Sequence, residues 1–153
     1  YYNRLHALRL QVFRMTKQIL LNLMGSQLVE NEKDSTELVT VARYYKRNGK
    51  HYVLYEEMPE GEDSLIKNTL KFDQDSFEMM KKGAVNAQML FDPEKNFTTY
   101  YSTPAGPMSM NINTMEYRLL EEEHYIEVLI RYELEIHNTY VTENEIRIQI
   151  APQ

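Results

Sequence analysis

The chain has 153 residues, with 17 basic and 23 acidic side chains for a net charge of −6, and it contains no cysteine and no tryptophan. Disulfides, thiol nucleophiles and thiolate metal sites are thereby excluded, and the acidic balance lacks the clustered Lys and Arg of a nucleic-acid surface. With 42% hydrophobic and 26% charged residues and only five Gly and five Pro, the composition is that of a folded domain able to bury a core unaided. The longest apolar stretch, Ile19–Leu23, is broken by Asn22 and falls far short of the ~20 residues of a membrane-spanning helix. Neither a membrane nor a nucleic acid is expected as a partner.

Residues 1–14 differ in character from the rest of the chain. They hold Arg4, Arg9 and Arg14 and no acid, and Leu5, Leu8, Val12 and Phe13 recur at the spacing of a short amphipathic helix. Met15-Thr16-Lys17 has the form of a start just ahead of the first strand. The expectation is a non-native or mis-called extension over residues 1–14 and a single β-barrel domain over residues 15–153. A secretory signal is the competing account, since Arg9 and Arg14 precede Ile19–Leu23. That stretch is shorter than a signal core, however, and no small-residue cleavage site comes after it. We expect a cytoplasmic protein.

From Lys17 onward the hydrophobic period is two. Ile19, Leu21 and Leu23 share one face, and Gly25-Ser26 permits a bend or bulge. Asn31–Ser35 reads as a polar turn. Leu38–Arg47 is rich in Val, Thr and Tyr. Asn48-Gly49 is a strong hairpin signal, because both residues tolerate positive φ, and Tyr52–Glu57 runs back. After the acidic loop 58–63, Leu65–Phe72 places Ile66, Asn68, Leu70 and Phe72 on one face. Asp73-Gln74-Asp75 turns the chain into Ser76–Lys82, Gly83 precedes Ala84–Phe91, and Asp92–Lys95 leads to Asn96–Thr103.

Pro104-Ala105-Gly106-Pro107 reverses the chain again. Met108–Leu120 comes next, with Met108, Met110, Ile112 and Thr114 on one face, and Glu121–Glu123 form a turn. Tyr125–His137 aligns Ile126, Val128 and Ile130, and Glu145–Ile150 aligns Ile146, Ile148 and Ile150. No convincing helix longer than two turns occurs after Met15. Short turns between about eight to ten strands predict an all-β fold, an antiparallel up-and-down meander closing into a single barrel and so abolishing its edges.

Little in the chain carries chemistry. His6, His51, His124 and His137 are scattered, with no second His or carboxylate at ligand spacing, so no metal site is expected. No phosphate-binding loop, nucleophile elbow or nucleotide fingerprint is present, so no cofactor is expected either. Ser102 and Thr103 have no neighbouring base. We therefore name no catalytic residue and lean against an enzyme.

Glu56-Glu57 is the one paired carboxylate inside a strand. Alternation sends the two to opposite faces, and Glu57 shares a face with Val53 and Tyr55. A carboxylate facing a barrel interior needs a cation or several donors beside it, for which Lys81, Arg43 and Arg131 are candidates. A solvated Glu at a strand end is the simpler account. The abundant Tyr, with Met79, Met80, Met89, Met108, Met110 and Met115 in the middle third, suit an adaptable pocket lining. They equally suit the filled core of a wide barrel.

Several of these pieces recur together in a known family. Tyr44-Tyr45 stands ahead of Asn48-Gly49, Tyr55-Glu56-Glu57 forms a Tyr-x-Glu, and Gly83-Ala84-Val85 precedes Phe91, eight residues after the glycine. Tyr101 is followed by Gly106, Met108, Met110 and Thr114. In this order they resemble the DUF1934 family of bacterial proteins, from about Lys17 to Ile150. The family has no assigned activity. The resemblance implies a calycin-type, lipocalin-related barrel and singles out Tyr55, Phe91, Tyr101, Met108, Met110 and Thr114 as candidate pocket lining. Lys81 stands where the family is expected to carry Arg. If that Arg pairs with the Tyr-x-Glu carboxylate, the equivalent here is Glu57 with Lys81, a candidate polar pair inside the barrel with a less directional contact than an Arg fork.

The function expected is a non-catalytic binding module whose partner is a small apolar or amphipathic molecule. The alternative is a protein-interaction or structural module with a packed barrel core. A persistent homodimer or a large exposed apolar patch marks that alternative.

Overall fold

Residues that alternate apolar and polar along an extended chain have one dry side and one wet side, and ten such segments bury their dry sides against each other here. The computed structural model describes residues 17–58, 61, 64–83, 86–103, 106–137 and 140–153, apart from the side chains of residues 29, 101–103 and 140. The expectations for residues 1–16, for Pro59, Glu60, Glu62 and Asp63 of the acidic loop, and for Ala84, Val85, Pro104 and Ala105 therefore lie outside the described residues. The strands are β1 (Lys17–Val29), β2 (Glu32–Arg47), β3 (Lys50–Glu57), β4 (Ile66–Phe72), β5 (Phe77–Gly83), β6 (Ala87–Phe91), β7 (Phe97–Thr103), β8 (Gly106–Glu122), β9 (Tyr125–Ile136) and β10 (Tyr140–Pro152). No helix among the described residues is long and apolar enough to cross a membrane.

All ten strands belong to one antiparallel sheet in the order β6-β5-β4-β3-β2-β1-β10-β9-β8-β7. Pairing of β1 with β10, from Ile19↔Pro152 to Leu28↔Glu143, bends the meander into a nearly closed barrel. Among the described residues no ladder joins β6 to β7, so a seam runs between them. Both seam strands are short, at five and seven residues, which limits the unpaired edge they present. A second opening lies between β2 and β3, which pair only from Arg43↔Leu54 to Arg47↔Lys50.

The strands depart from the expected pattern in three places. β2 begins at Glu32, so the polar turn expected over Asn31–Ser35 contracts to Glu30 and Asn31, both at positive φ. Glu is an unusual occupant of that conformation, and this conceals the tight turn from sequence. Gly25 causes no bulge, because its register with Thr36 and Ile146 is unbroken. The register shift falls instead in β8, where Thr114 pairs with Tyr132 and Glu116 with Arg131. Met115 is the extra residue and is 60% exposed.

That extra residue inverts the alternation of β8. Before it, Ile112 and Thr114 face inward; after it, Tyr117 and Leu119 pack on the core. The interior is filled by Leu21, Val53, Leu70, Val128, Ile130 and Ile148, together with a chain of rings. His51 stacks on Phe72 at 4.8 Å, Phe72 on Phe77 at 5.2 Å, and Phe91 meets Phe77 at 6.3 Å and the edge of Tyr132 at 4.8 Å. These rings supply the volume that a ten-stranded cross-section requires.

Gly83 has φ +130°, and a Cβ there would lie 2.2 Å from the Leu65 carbonyl oxygen. Gly49 also has positive φ, +76°, but open space around it. Gly83→Ala is expected to destabilise the barrel by about 2–3 kcal/mol in urea unfolding and Gly49→Ala by about 1 kcal/mol, because only the first adds a collision to the backbone strain.

Candidate functional site

The two ends of the barrel differ in how they are closed. At the end bearing the β2–β3, β4–β5 and β8–β9 turns, polar side chains reach across the lumen. β8 stands five strands from β3 in either direction around the sheet, directly opposite it. Even so, Glu121 Oε1 lies 3.4 Å from His51 Nε2 and accepts a hydrogen bond from Lys46 Nζ at 3.0 Å. The carboxylate places the ring proton on Nε2, so His51 Nδ1 accepts from the Tyr44 hydroxyl at 2.7 Å. Tyr117 donates to the Asp73 carbonyl at 2.6 Å, tying β8 to the β4–β5 turn. Asp73 in turn organises that turn by accepting from the backbone N–H groups of Asp75 and Ser76.

This cluster brings to His51 a carboxylate that no sequence spacing announces, and it corrects the expected turn over Glu121–Glu123. The turn proper is Glu123-His124, and Glu121 is still within β8, brought to the inner face by the Met115 bulge. His51 is 2% exposed. Burial pulls its pKa below the ordinary 6.5, despite the opposing influence of Glu121. Burial and the Glu121 charge push Tyr44 up to about 12, and the Lys46 hydrogen bond lowers the Glu121 carboxyl. A neutral histidine between two committed partners is a structural tie, poorly suited to proton transfer.

At the opposite end the polar contacts run between neighbouring strands and leave the lumen uncrossed among the described residues. Glu57, Asn68 and Lys81 come from β3, β4 and β5. Lys81 Nζ donates to Glu57 Oε1 at 3.0 Å and to Asn68 Oδ1 at 2.8 Å, and Asn68 Nδ2 donates to the same Glu57 oxygen at 2.8 Å. All three stand on the inner face: Glu57 continues the row of Val53 and Tyr55, Asn68 lies between Ile66 and Leu70, and Lys81 continues that of Phe77 and Met79. Asn68 is 1% exposed, while the Lys81 and Glu57 side chains are 30% and 33% exposed. The buried amide thus fixes a charged pair that water still reaches. Of the other cations expected as candidates for Glu57, Arg43 is exposed. Arg131 bonds Glu116 and Glu145 at the outer surface.

Tyr55, Asn68, Lys81 and Ala87 lie on one register row across β3 to β6. An open cleft of about 470 Å³ lies on the outer surface along the gap between β2 and β3, lined mainly by the outward residues Gln18, Val41, Arg43, Leu54, Glu56, Lys67 and Thr69 and bordering Ala42, Tyr55 and Asn68. The remaining residues singled out as pocket lining are distributed unevenly. Phe91 is wholly buried in the ring chain and is core. Thr114 is buried, and its hydroxyl has no hydrogen-bond partner among the described residues. Met108 and Met110 are half-buried on the same face of β8. Tyr101 lies opposite Met108 in register, and its side chain is outside the described residues. No group of three or more His, Asp or Glu that could hold a metal occurs among the described residues.

A meander barrel closed by a polar tie at one end and bearing an inward charged triplet at the other is the class of protein these features define. The chain belongs to the DUF1934 family, a domain of unknown function whose family model matches residues 21–148. It is similar in structure to the ywiB protein from Bacillus subtilis, with a TM-score of 0.77 over 91% of this chain and 94% of that one. At 18% identity that likeness is one of fold. No curated protein matches the chain by sequence.

The buried His51 generates a pH dependence of defined sign. Because its folded pKa lies below 6.5, the unfolded chain binds more protons just under that pH, and stability falls as pH drops from 6.5. Glu121 faces the ring directly, Lys46 and Asp73 act on it through charge, and Tyr44 and Phe72 pack against it. The melting temperature is expected to fall between pH 7 and pH 5. In His51→Phe it is expected to be lower at pH 7, by the equivalent of about 1–3 kcal/mol for the stranded partners, and flatter across the same range.

Proposed function

We propose that this protein is a non-catalytic binding module that takes a small, partly apolar molecule into the uncrossed end of its barrel. The observation that carries this reading is the Glu57–Asn68–Lys81 triplet, a charged group built on the inner face and left one-third open. A triplet serving stability alone gains little at that exposure, because solvent screens the ion pair. Apolar side chains that the core does not fully enclose, Leu23, Leu38, Met89 and Leu134, supply a surface for the rest of the ligand. Methionine adapts its shape to what it packs against. The usage is that of a calycin-type barrel.

A second reading, an interaction module, is favoured by Leu20, Val39 and Val41, which are exposed on the outside of the β1–β2 ribbon. Leu20 and Val41 are direct cross-strand partners. A stable dimer in light scattering that Val41→Lys dissolves is the result this reading predicts.

Native mass spectrometry of gently purified protein tests the first reading. The expected result is an added mass of small-molecule size, lost on denaturation, and absent from Ala87→Trp, which fills the smallest position of the inner row. Retention of the same added mass by Ala87→Trp overturns the assignment to this end of the barrel.

A further inference from the structure

The free hydrogen-bonding capacity of the triplet specifies the chemistry of its ligand. An ammonium has three donors, and Lys81 commits two of them, to Glu57 Oε1 and Asn68 Oδ1. Glu57 Oε1 accepts from both Lys81 and Asn68, while Oε2 accepts from no described residue. One N–H donor and one carboxylate oxygen are therefore left over, on groups that are already 3.0 Å apart. Resting on the binding reading above, we propose that this end of the barrel selects an uncharged head group with a hydrogen-bond acceptor beside a donor, a carboxamide or urea, carried on a short apolar body.

Charge decides between the candidate heads. Lys81 and Glu57 compensate each other, so an anionic head that approaches the ammonium also approaches a carboxylate, and a cationic head meets the reverse. A single charge thus gains from one partner and loses to the other. An amide carbonyl accepts from Lys81 while its N–H donates to Glu57 Oε2. Both bonds are charge-assisted and stronger than neutral ones.

The surroundings fit the same head. Asn68 is buried and uses its carbonyl for Lys81 and an N–H for Glu57, which holds the two charged groups in fixed relative position before any ligand arrives. Tyr55, one register row deeper than Glu57, is kept protonated by burial and by the Glu57 charge. Its ring and Met79, each with a small exposed edge, are the apolar groups next below the triplet, and Leu70 is wholly enclosed behind them. Ala87 leaves the far side of the row small.

Hexanamide, hexanoate and hexylamine, three probes with one chain and three heads, test the proposal by calorimetric or amide-detected titration at neutral pH. Hexanamide is expected to bind about tenfold more tightly than either charged probe, the factor for one well-made extra hydrogen bond. Glu57→Gln should turn the preference toward hexanoate and Lys81→Met toward hexylamine, each by unmasking the remaining charge. Both positions are one-third exposed, so the variants are expected to fold, which their melting curves report. Hexanoate or hexylamine binding best to the unaltered protein overturns the proposed head group and leaves the binding reading standing. Absence of binding by all three, or binding that survives Ala87→Trp, overturns both.

Discussion

Strand alternation is a strict constraint, because the side-chain period of two allows no residue to choose its face independently of its neighbours. In β8 the constraint is broken once, by Met115, and the consequences extend through the barrel. With regular pairing throughout, Tyr117, Leu119 and Glu121 would continue the outward set of Asn111 and Asn113. The bulge delivers them inward instead, where Tyr117 bonds the β4–β5 turn and Glu121 meets His51 and Lys46 from the far wall. One unpaired residue therefore determines which end of the lumen is crossed by hydrogen bonds. The extra residue itself is left pointing to solvent, the usual disposition of a bulge.

The crossing also solves a packing problem. A ten-stranded section is wider than aliphatic side chains from opposite walls can fill, and an empty interior would forfeit dispersion contacts at every lining residue. Tyr44, His51, Phe72, Phe77, Phe91 and Tyr132 fill it with contiguous rings. His51 carries two ring nitrogens into that chain, and Tyr44 and Glu121 stand against them, one on each. A buried polar group so partnered adds specificity, since a register slip in β2, β3 or β8 strands it.

Legibility in the sequence depends on the range of the interaction. The meander is legible because it rests on local patterns: alternation within Ile66–Phe72 or Ile146–Ile150, and Asn48-Gly49 for a turn that has both residues at positive φ. The extent of the β1–β2 ribbon is not, because its turn uses Glu30 where a glycine would have announced it. The bulge is marked by nothing but one residue in a run of alternating ones. The contact of His51 with Glu121 joins positions remote in the chain, and the carboxylate sits on the wrong face until the bulge is known. Of the triplet, Glu57 and Lys81 are legible through the family resemblance. Asn68, the member that joins them, hides on a face otherwise filled by Ile66, Leu70 and Phe72.

The contrast between Asn68 and His51 bears on what each end does. Both are buried polar residues on inner faces, and both have their polar groups engaged by neighbours. The partners of His51 complete a contact between opposite walls, and the lumen there is spanned. The partners of Asn68 lie on the same wall, one on either side of it, so its bonds stiffen that wall without crossing the lumen. A buried amide that organises an exposed ion pair loses conformational freedom in three side chains and gains little net stability in return. On the proposed binding reading that loss has a counterpart: the fixed geometry presents a spare donor and a spare acceptor at a set separation.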